Sequence, residues 1–244
     1  MSGHSKWHNI QKTKGAADAK KAKIFTKYAR EMAIAIKDGG GADPASNSKL
    51  SAVISRAKSE NVPNDNINRI LQKYQSGAAA ESYEHVTYEG YGPCGIAVIV
   101  ETLTDNRNRT VADVRHYFDK YGGNMGTSGC VSWQFNQKGV IVIDGEDLDE
   151  DTVMMEALDA GAEDFSAEEG IFEVYTDPDS FDEVREKLKE MGYEFMEAQV
   201  QMVPQNYITI SGEDNIKNMQ KMLEVMEAND DIQNVWHNWE ETEN

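Results

Sequence analysis

Residues 140–175 read VIVIDGEDLDEDTVMMEALDAGAEDFSAEEGIFEVY, and this stretch decides the fold of the centre of the chain. The aliphatic run Val140–Ile143 predicts a buried strand, and the spacing over Asp151–Ala160 predicts a helix. Two further strands, a second helix and a last strand follow. They complete a βαββαβ unit of the ferredoxin-like kind. These later elements are predicted at Asp164–Ser166, Ile171–Tyr175, Phe181–Met191 and Glu194–Val203.

An incomplete α/β piece lies on each side of this unit. The upstream strands are predicted at Val86–Glu89, Ile96–Thr102 and Val131–Phe135, with a helix at Arg109–Tyr121. The downstream piece is strand Tyr207–Ile210, helix Asp214–Ala228 and strand Ile232–His237. Because neither piece has a complete sheet of its own, we predict that the two form one α/β domain. The ferredoxin-like unit would then be an insertion in that domain.

The N-terminal third of the chain has a helical pattern. Phe25, Tyr28, Met32 and Ile36 form one apolar stripe, which predicts a helix over 15–38. Two further helices are predicted at Lys49–Ser59 and Asp65–Tyr74. The predicted fold class is therefore α+β multidomain, with a three-helix domain followed by two α/β domains. The expected domains are 1–80, then 81–136 together with 205–244, and the insertion 137–204.

Charge divides the chain into a basic head and an acidic body. The 244 residues carry a net charge of −19, which taken alone argues against a protein that binds nucleic acid or a membrane surface. Residues 1–80, however, carry a net charge of +8, and residues 81–244 a net charge of −27. Such asymmetry indicates a segment that faces nucleic acid.

The cations of the head form one strip. Lys20, Lys23, Lys27 and Arg30 lie on the helix face opposite the apolar stripe, and between Lys6 and Arg30 only Asp18 is acidic. A solvated helix surface is the alternative interpretation, but such surfaces usually mix both signs of charge. We predict that this strip contacts nucleic-acid phosphates. The candidate residues are Lys6, Trp7, His8, Lys12, Lys14, Lys20, Lys21, Lys23, Lys27 and Arg30.

The polar run 104–110, TDNRNRT, adds two candidates. Arg107 and Arg109 stand at a predicted helix start, where cations oppose the helix dipole, so a stability role is not evident. Contact with phosphate or with an acidic partner is one interpretation of this pair. A local salt bridge to Asp105 or Asp113 is the other.

Two glycine-rich stretches are candidate phosphate-binding sites. GYGPCG at 90–95 matches the dinucleotide-binding spacing, but a strand rather than a helix is predicted after it, so we interpret it as a turn between strands. GGNMGTSG at 122–129 either connects a helix to a strand flexibly or holds phosphate through backbone amides.

The sequence shows no catalytic, metal or cofactor signature. Its five histidines and two cysteines have no metal-ligand spacing, and it has no nucleophile or P-loop motif. We expect no enzyme activity, no metal and no cofactor. The two cysteines and the lack of an apolar leader or membrane-length segment predict a cytoplasmic protein.

Six motifs together resemble the YebC/PmpR family over nearly the whole chain. They are GHSKW at 3–7, DAKKAKIFTK at 18–27, NVPNDNI at 61–67, YEGYGP at 88–93, TDNRNRT at 104–110 and GGN at 122–124. A mitochondrial relative of this family is the translational activator of cytochrome c oxidase. The resemblance implies a helical N-terminal domain and two α/β domains, and it implies no catalytic residues.

Members of that family are described either as transcriptional regulators that bind promoter DNA or as translation factors on the ribosome. The resemblance therefore implies a regulator of gene expression with promoter DNA, rRNA or tRNA as its partner. Basic ribosomal proteins are further candidate partners for the acidic body, and we expect a monomer. A module that binds protein or a small ligand, with no nucleic-acid role, remains the alternative.

Overall fold

The computed structural model describes residues 17–76, 83–168 and 170–240, with side chains from residue 23 onward and without that of Ser59. The helices are α1 (Ala17–Asp38), α2 (Ser48–Ser59), α3 (Asn64–Gln75), α4 (Arg107–Lys120), α5 (Glu150–Ala160), α6 (Phe181–Glu190) and α7 (Glu213–Ala228). The strands are β1 (Glu84–Tyr91), β2 (Ala97–Thr104), β3 (Asn124–Met125), β4 (Phe135–Asp144), β5 (Asp164–Glu168), β6 (Ile171–Thr176), β7 (Phe195–Pro204), β8 (Ile208–Thr209), β9 (Ile232–His237) and β10 (Trp239–Glu240).

Two compact units make up the described chain. Trp133–Tyr207 forms one unit, and the residues before and after it form the other. The α+β fold class predicted from the sequence is confirmed, with the helical region first and the α/β regions after it. The described helices include none that is both long enough and apolar enough to cross a membrane.

Helices α1–α3 enclose a core of their own. The predicted stripe of α1 lies in it, since Tyr28, Met32 and Ile36 are buried against residues of α2 and α3. Asn47 joins the first two helices. Its side chain caps α2 by accepting from the Leu50 amide at 3.0 Å, and it donates to the Ala35 carbonyl at 2.8 Å. The end of α1 is thereby fixed to the start of α2.

The first α/β sheet has the strand order β3-β1-β2-β9, and every pairing is antiparallel. Helices α4 and α7 cover one face through Phe118, Met219, Met222 and Met226, which are fully buried. The upstream piece thus contributes three strands and the downstream piece one. Alternating side chains of β2 complete this core with Val98 and Val100.

Two predicted strands of this sheet are wrong. Val131–Phe135 is not a strand of it, because residues 131–134 form a turn and a short 3-10 segment, and Phe135 begins β4. The amides of Val131 and Ser132 donate to the Glu89 side chain and are not available to a sheet, which β3 completes instead. The predicted strand Tyr207–Ile210 shrinks to β8, which pairs in parallel with β10.

The unit Trp133–Tyr207 contains a four-stranded antiparallel sheet in the order β5-β6-β4-β7. This order and the βαββαβ sequence are those of a ferredoxin-like domain. Helices α5 and α6 pack on one face of the sheet, where Ile141, Ile143, Val174 and Leu188 form the centre of the core.

We predict that Gly90→Ala destabilises the first sheet. A Cβ at this position would lie 2.5 Å from the Asn124 carbonyl oxygen of β3, and backbone cannot move aside cheaply. We expect a loss of about 1–3 kcal/mol in the free energy of unfolding, measured by urea denaturation. Gly92→Ala is the control. Its Cβ meets side-chain atoms and no backbone, namely Met222 Cε at 3.0 Å, Met219 Sδ at 3.1 Å and Val98 Cγ2 at 3.6 Å, so its loss should be smaller, and equal losses would contradict the prediction.

Candidate nucleic-acid interface

The basic face of α1 points away from the core of the helical region, as the helix spacing predicts. Its described members, Lys23, Lys27 and Arg30, follow each other at intervals of four and three residues and therefore share one face. This face does not simply meet solvent. It lies against the turn between α7 and β9 of the α/β domain in the same unit.

The two lysines of this face contact the elements on either side of that turn, α7 before it and β9 after it. Lys23 Nζ donates to the Glu227 carbonyl oxygen, and Lys27 Nζ donates to Asn234 Oδ1 at 3.2 Å. Burial lowers the pKa of Lys23 from its ordinary value, although Glu227 acts in the opposite direction. Both lysines therefore serve a contact within the protein.

Arg30 makes the densest contacts of the face. Its Nη1 donates to the carbonyl oxygens of Leu103 at 2.8 Å and Asp230 at 2.6 Å, and to Asp231 Oδ1 at 2.8 Å. Its guanidinium carbon also lies 5.2 Å from the centre of the Tyr83 ring. The acidic turn of the α/β domain takes up donors of Arg30, and a contact of Arg30 with nucleic-acid phosphate stays a prediction.

Asp231 is the common partner of two arginines. It is 4% exposed, and its Oδ2 accepts from Arg109 Nη2 at 2.7 Å and from Thr110 Oγ1 at 2.8 Å, while its Oδ1 faces Arg30. Burial alone would raise the pKa of this carboxyl. Hydrogen bonds from Arg109, Thr110 and Arg30 outweigh burial and hold the pKa below its ordinary value.

Arg109 makes one ion pair that the sequence analysis considered and one, with Asp231, that it did not. Besides Asp231, it binds Asp105 at 2.8 Å, which is one of the two local salt bridges considered above. Its backbone amide donates to Asn106, the cap of α4. Arg107 is exposed at the same helix start. Whether either arginine contacts nucleic acid stays a prediction.

A shallow cleft of about 390 Å³ lies over this group. Carboxylates outnumber cations in its lining, so it does not offer a surplus of positive charge to a phosphate. The lining residues are Arg30, Asp105, Arg109, Asp113, Asn229, Asp230 and Asp231.

The remaining predicted contacts lie beyond what the structure describes. Lys6, Trp7, His8, Lys12 and Lys14 precede the described residues, and Lys20 and Lys21 belong to α1 without described side chains. Their proposed role stays a prediction. Within the described residues, no cluster of three or more His, Cys, Asp or Glu side chains could hold a metal ion.

The glycine-rich loop after β3 already holds an anion of the protein itself. Glu89, buried on β1, accepts from the amides of Gly129 at 2.7 Å, Val131 at 2.9 Å and Ser132 at 2.8 Å. Burial would raise the pKa of Glu89, but these three amides outweigh it and lower the pKa. A carboxylate of the protein therefore occupies the last amide of this loop, that of Gly129, and two amides just after it.

The other glycine stretch is a turn, as predicted. Strand β1 precedes it and strand β2 follows it, and Cys94 at its centre has a φ of 56°. Sequence reasoning missed both central carboxylates of this unit. Alternation along β1 places Glu89 on the face opposite Val86 and Tyr88, which pack in the core, so the strand pattern gave no signal of its burial. Nothing in the sequence separates Asp231 from the other acidic residues of the body.

The fold and this arrangement define an α+β protein in which a helical region with a basic first helix precedes the α/β regions. Residues 5–77 match the model of the TACO1/YebC protein N-terminal domain, and residues 83–239 match that of the TACO1/YebC second and third domain. The chain belongs to the TACO1/YebC family. The resemblance drawn from the six motifs is thereby confirmed.

Similar proteins cover the chain almost completely. A protein of Ruminiclostridium cellulolyticum named "probable transcriptional regulatory protein" is 56% identical over 100% of this chain and 98% of its own length. A protein of Finegoldia magna with the same name is 51% identical over 98% and 99%. The crystal structure of a conserved hypothetical protein from Aquifex aeolicus has a TM-score of 0.84 at 39% identity and covers 98% of each chain.

We predict that Asp231→Asn destabilises the protein by about 2–4 kcal/mol at neutral pH, because it removes the charge that two arginines share. The folded pKa of Asp231 is lowered, so its contribution is present above the ordinary carboxyl pKa and is lost as pH falls through the folded pKa. The difference between wild type and variant in urea denaturation should therefore shrink below about pH 4. Asp230→Asn, an exposed neighbour, is the matched control. Equal losses in the two variants would contradict the role of Asp231.

We predict that Glu89→Gln loosens the glycine-rich loop. A neutral amide accepts fewer and weaker hydrogen bonds than a carboxylate, so the three amides lose most of their protection. Hydrogen exchange measured by NMR should accelerate by about tenfold or more at Gly129, Val131 and Ser132, corresponding to about 1.4 kcal/mol. Unchanged exchange at these amides, with faster exchange elsewhere, would show that Glu89 does not hold the loop.

Proposed function

We propose that this protein regulates gene expression by binding nucleic acid through its basic N-terminal segment, without catalysing a reaction. The observation that carries the proposal is the run from Lys6 to Arg30, in which Asp18 is the only acidic residue. Cations at this density bind polyanions and release counterions. The names of the relatives, probable transcriptional regulatory proteins, support a regulatory role.

The contacts of α1 suggest a division of labour among its cations. Lys23, Lys27 and Arg30 serve the contact with the α/β domain. We therefore assign phosphate binding mainly to residues nearer the N-terminus, with Trp7 as a side chain that stacks on a base and exposed Arg107 as a secondary contact. The phosphate-binding residues in this proposal are Lys6, His8, Lys12, Lys14, Lys20 and Lys21.

The residue types favour RNA phosphates as the target. Reading base edges in a DNA groove typically uses arginine, asparagine or glutamine. The basic run holds Arg30 as its only arginine, and this side chain is bound to Asp231. A lysine-rich segment binds backbone phosphates without reading sequence. Ribosomal RNA or tRNA on the ribosome is therefore the target that we propose first, which would make the protein a translation factor.

Promoter DNA is the second candidate, favoured by the names of the relatives. A specific transcriptional regulator usually prefers its site by about 10³-fold or more over unrelated duplexes. Uniform affinity for unrelated duplexes would exclude this candidate. Absence of binding to both ribosomes and DNA would leave a module that binds protein or a small ligand.

Co-sedimentation of the full chain with ribosomes, at low and moderate salt and with duplex DNA as competitor, separates these candidates. Retention on ribosomes at moderate salt despite excess DNA supports the translation role. Loss to DNA supports the transcription role and makes a promoter-specificity assay the next step.

We predict that the triple variant Lys12→Ala, Lys14→Ala, Lys20→Ala binds RNA at least about tenfold more weakly than wild type. Each lost phosphate contact should also reduce the slope of log K against log salt by about 0.7–0.9, so the triple variant should lose about 2–3 in slope. The matched control removes three exposed lysines of the acidic body, Lys189→Ala, Lys217→Ala, Lys221→Ala. Equal weakening of RNA binding by both variants would show that only the net charge matters, and it would contradict the assignment of phosphate binding to the N-terminal lysines.

A further inference from the structure

Helix α5 of the ferredoxin-like domain buries small apolar side chains and exposes larger ones. The side chains that face the core are small, namely Val153, Ala157 and Ala160. Met155 and Leu158, which are larger, are 59% and 46% exposed. A helix of a globular domain normally turns its larger apolar side chains inward, because their burial contributes most to stability. Folding of this domain therefore does not explain the outer pair.

Two further exposed apolar residues lie at the ends of α5 and α6, which pack against each other. Met155 and Leu158 are three residues apart and are neighbours on the helix surface. Leu148, in the turn before α5, and Met191, at the end of α6, are also exposed. The Tyr193 hydroxyl donates to Glu156 at 2.6 Å and thereby places the end of α6 beside the middle of α5. We call Leu148, Met155, Leu158 and Met191 the α5 patch.

Exposed apolar residues are common when scattered, but these are grouped. Seven large hydrophobic side chains are exposed among the described residues, and four of them form the α5 patch. Grouped apolar surface framed by polar residues is typical of a protein-binding site. Two of the four are methionines, whose flexible side chains adapt to a partner's surface.

The unit that carries the patch is strongly acidic. Residues 133–207 hold 21 acidic and 4 basic side chains, a net charge of −17. Helix capping explains Asp149, which accepts from the Thr152 amide, and the helix dipole favours Glu150 and Asp151 in the first turn. Asp159 stands at the other end of α5, where the dipole opposes a negative charge, so helix stability does not explain it.

We propose that the α5 patch binds a cationic amphipathic helix of a partner protein. The apolar side of that helix would cover Met155 and Leu158, and its Lys and Arg side chains would face the acidic rim. The charge of −17 selects against a polyanion, an anionic membrane and a second copy of this domain, since each would bring like charge. The α5 patch would thus bind a cationic partner, and the basic N-terminal segment an anionic one.

The direct test is an NMR titration of the full chain with a synthetic 18-residue helical peptide of Leu and Lys, with Leu on one face. We expect micromolar binding and chemical-shift changes confined to residues 146–160 and 186–193. A scrambled peptide of the same composition keeps the charge but lacks the apolar face, and it should bind at least about tenfold more weakly. Equal binding of the two peptides, or shift changes elsewhere, would overturn the proposal.

Substitutions at Met155 separate the contribution of apolar contact to peptide binding from the contribution of charge. Met155→Glu adds a negative charge, so attraction by charge alone would make the cationic peptide bind more tightly. We expect it instead to bind at least about tenfold more weakly, because the apolar contact is lost. Met155→Leu should stay within about threefold of wild type. Ile208→Glu, the same change at another exposed apolar residue, is the matched control and should bind like wild type.

Tighter or unchanged binding by Met155→Glu would overturn the proposal. Circular dichroism of each variant excludes unfolding as the cause of weaker binding. Sedimentation of the protein alone tests whether a second copy of the chain covers the patch instead. A dimer that Met155→Glu dissociates would mean that a second copy covers the patch. Because the peptide carries no phosphate, these outcomes do not depend on the nucleic-acid proposal.

Discussion

The carboxylate of Asp231 is the interaction on which the arrangement of the larger unit depends. It is buried, and it is shared by Arg30 from the helical region and Arg109 from the α/β domain. Asp231 and Arg30 leave water almost completely, which is tolerable only because each finds hydrogen-bond partners within the cluster, whereas Arg109 stays partly exposed. The cluster fixes how the basic helix lies on the α/β domain, so it also determines which cations of that helix remain for a polyanion.

A second buried carboxylate works on the same principle within the α/β domain. Glu89 accepts from Gly129, the last amide of the glycine-rich loop, and from the amides of Val131 and Ser132 just after it, which ties the end of that loop to β1 of the first sheet. In both places an internal carboxylate occupies donors that, read from the sequence, looked available to phosphate. The protein thus uses its own negative charge to organise sites that resemble anion-binding sites, and the proposed binding of external polyanions moves to the N-terminal arm and the first turns of α1.

The acidic body then has a distinct proposed use. Its charge is concentrated in residues 133–207, where the apolar α5 patch is also found. A protein with a basic head and an acidic, partly apolar domain can hold two partners of opposite charge. That combination suits a factor that works on a ribonucleoprotein surface, where phosphates and basic proteins occur side by side.

The sequence by itself determined most helices and strands, since each has a characteristic local spacing of apolar residues. The stripe of α1, the βαββαβ order and the turn at Gly90–Gly95 followed from such patterns. The local patterns did not reveal contacts between residues that lie far apart in the chain. The predicted strand at Val131–Phe135 failed because Glu89 takes the amides of Val131 and Ser132. The contacts of Arg30 and Arg109 with Asp231 had no signal in the sequence, because Asp231 lies more than a hundred residues away from both. Only the tertiary structure decided their roles, because the free energy of a buried charge is set by the groups that surround it in space.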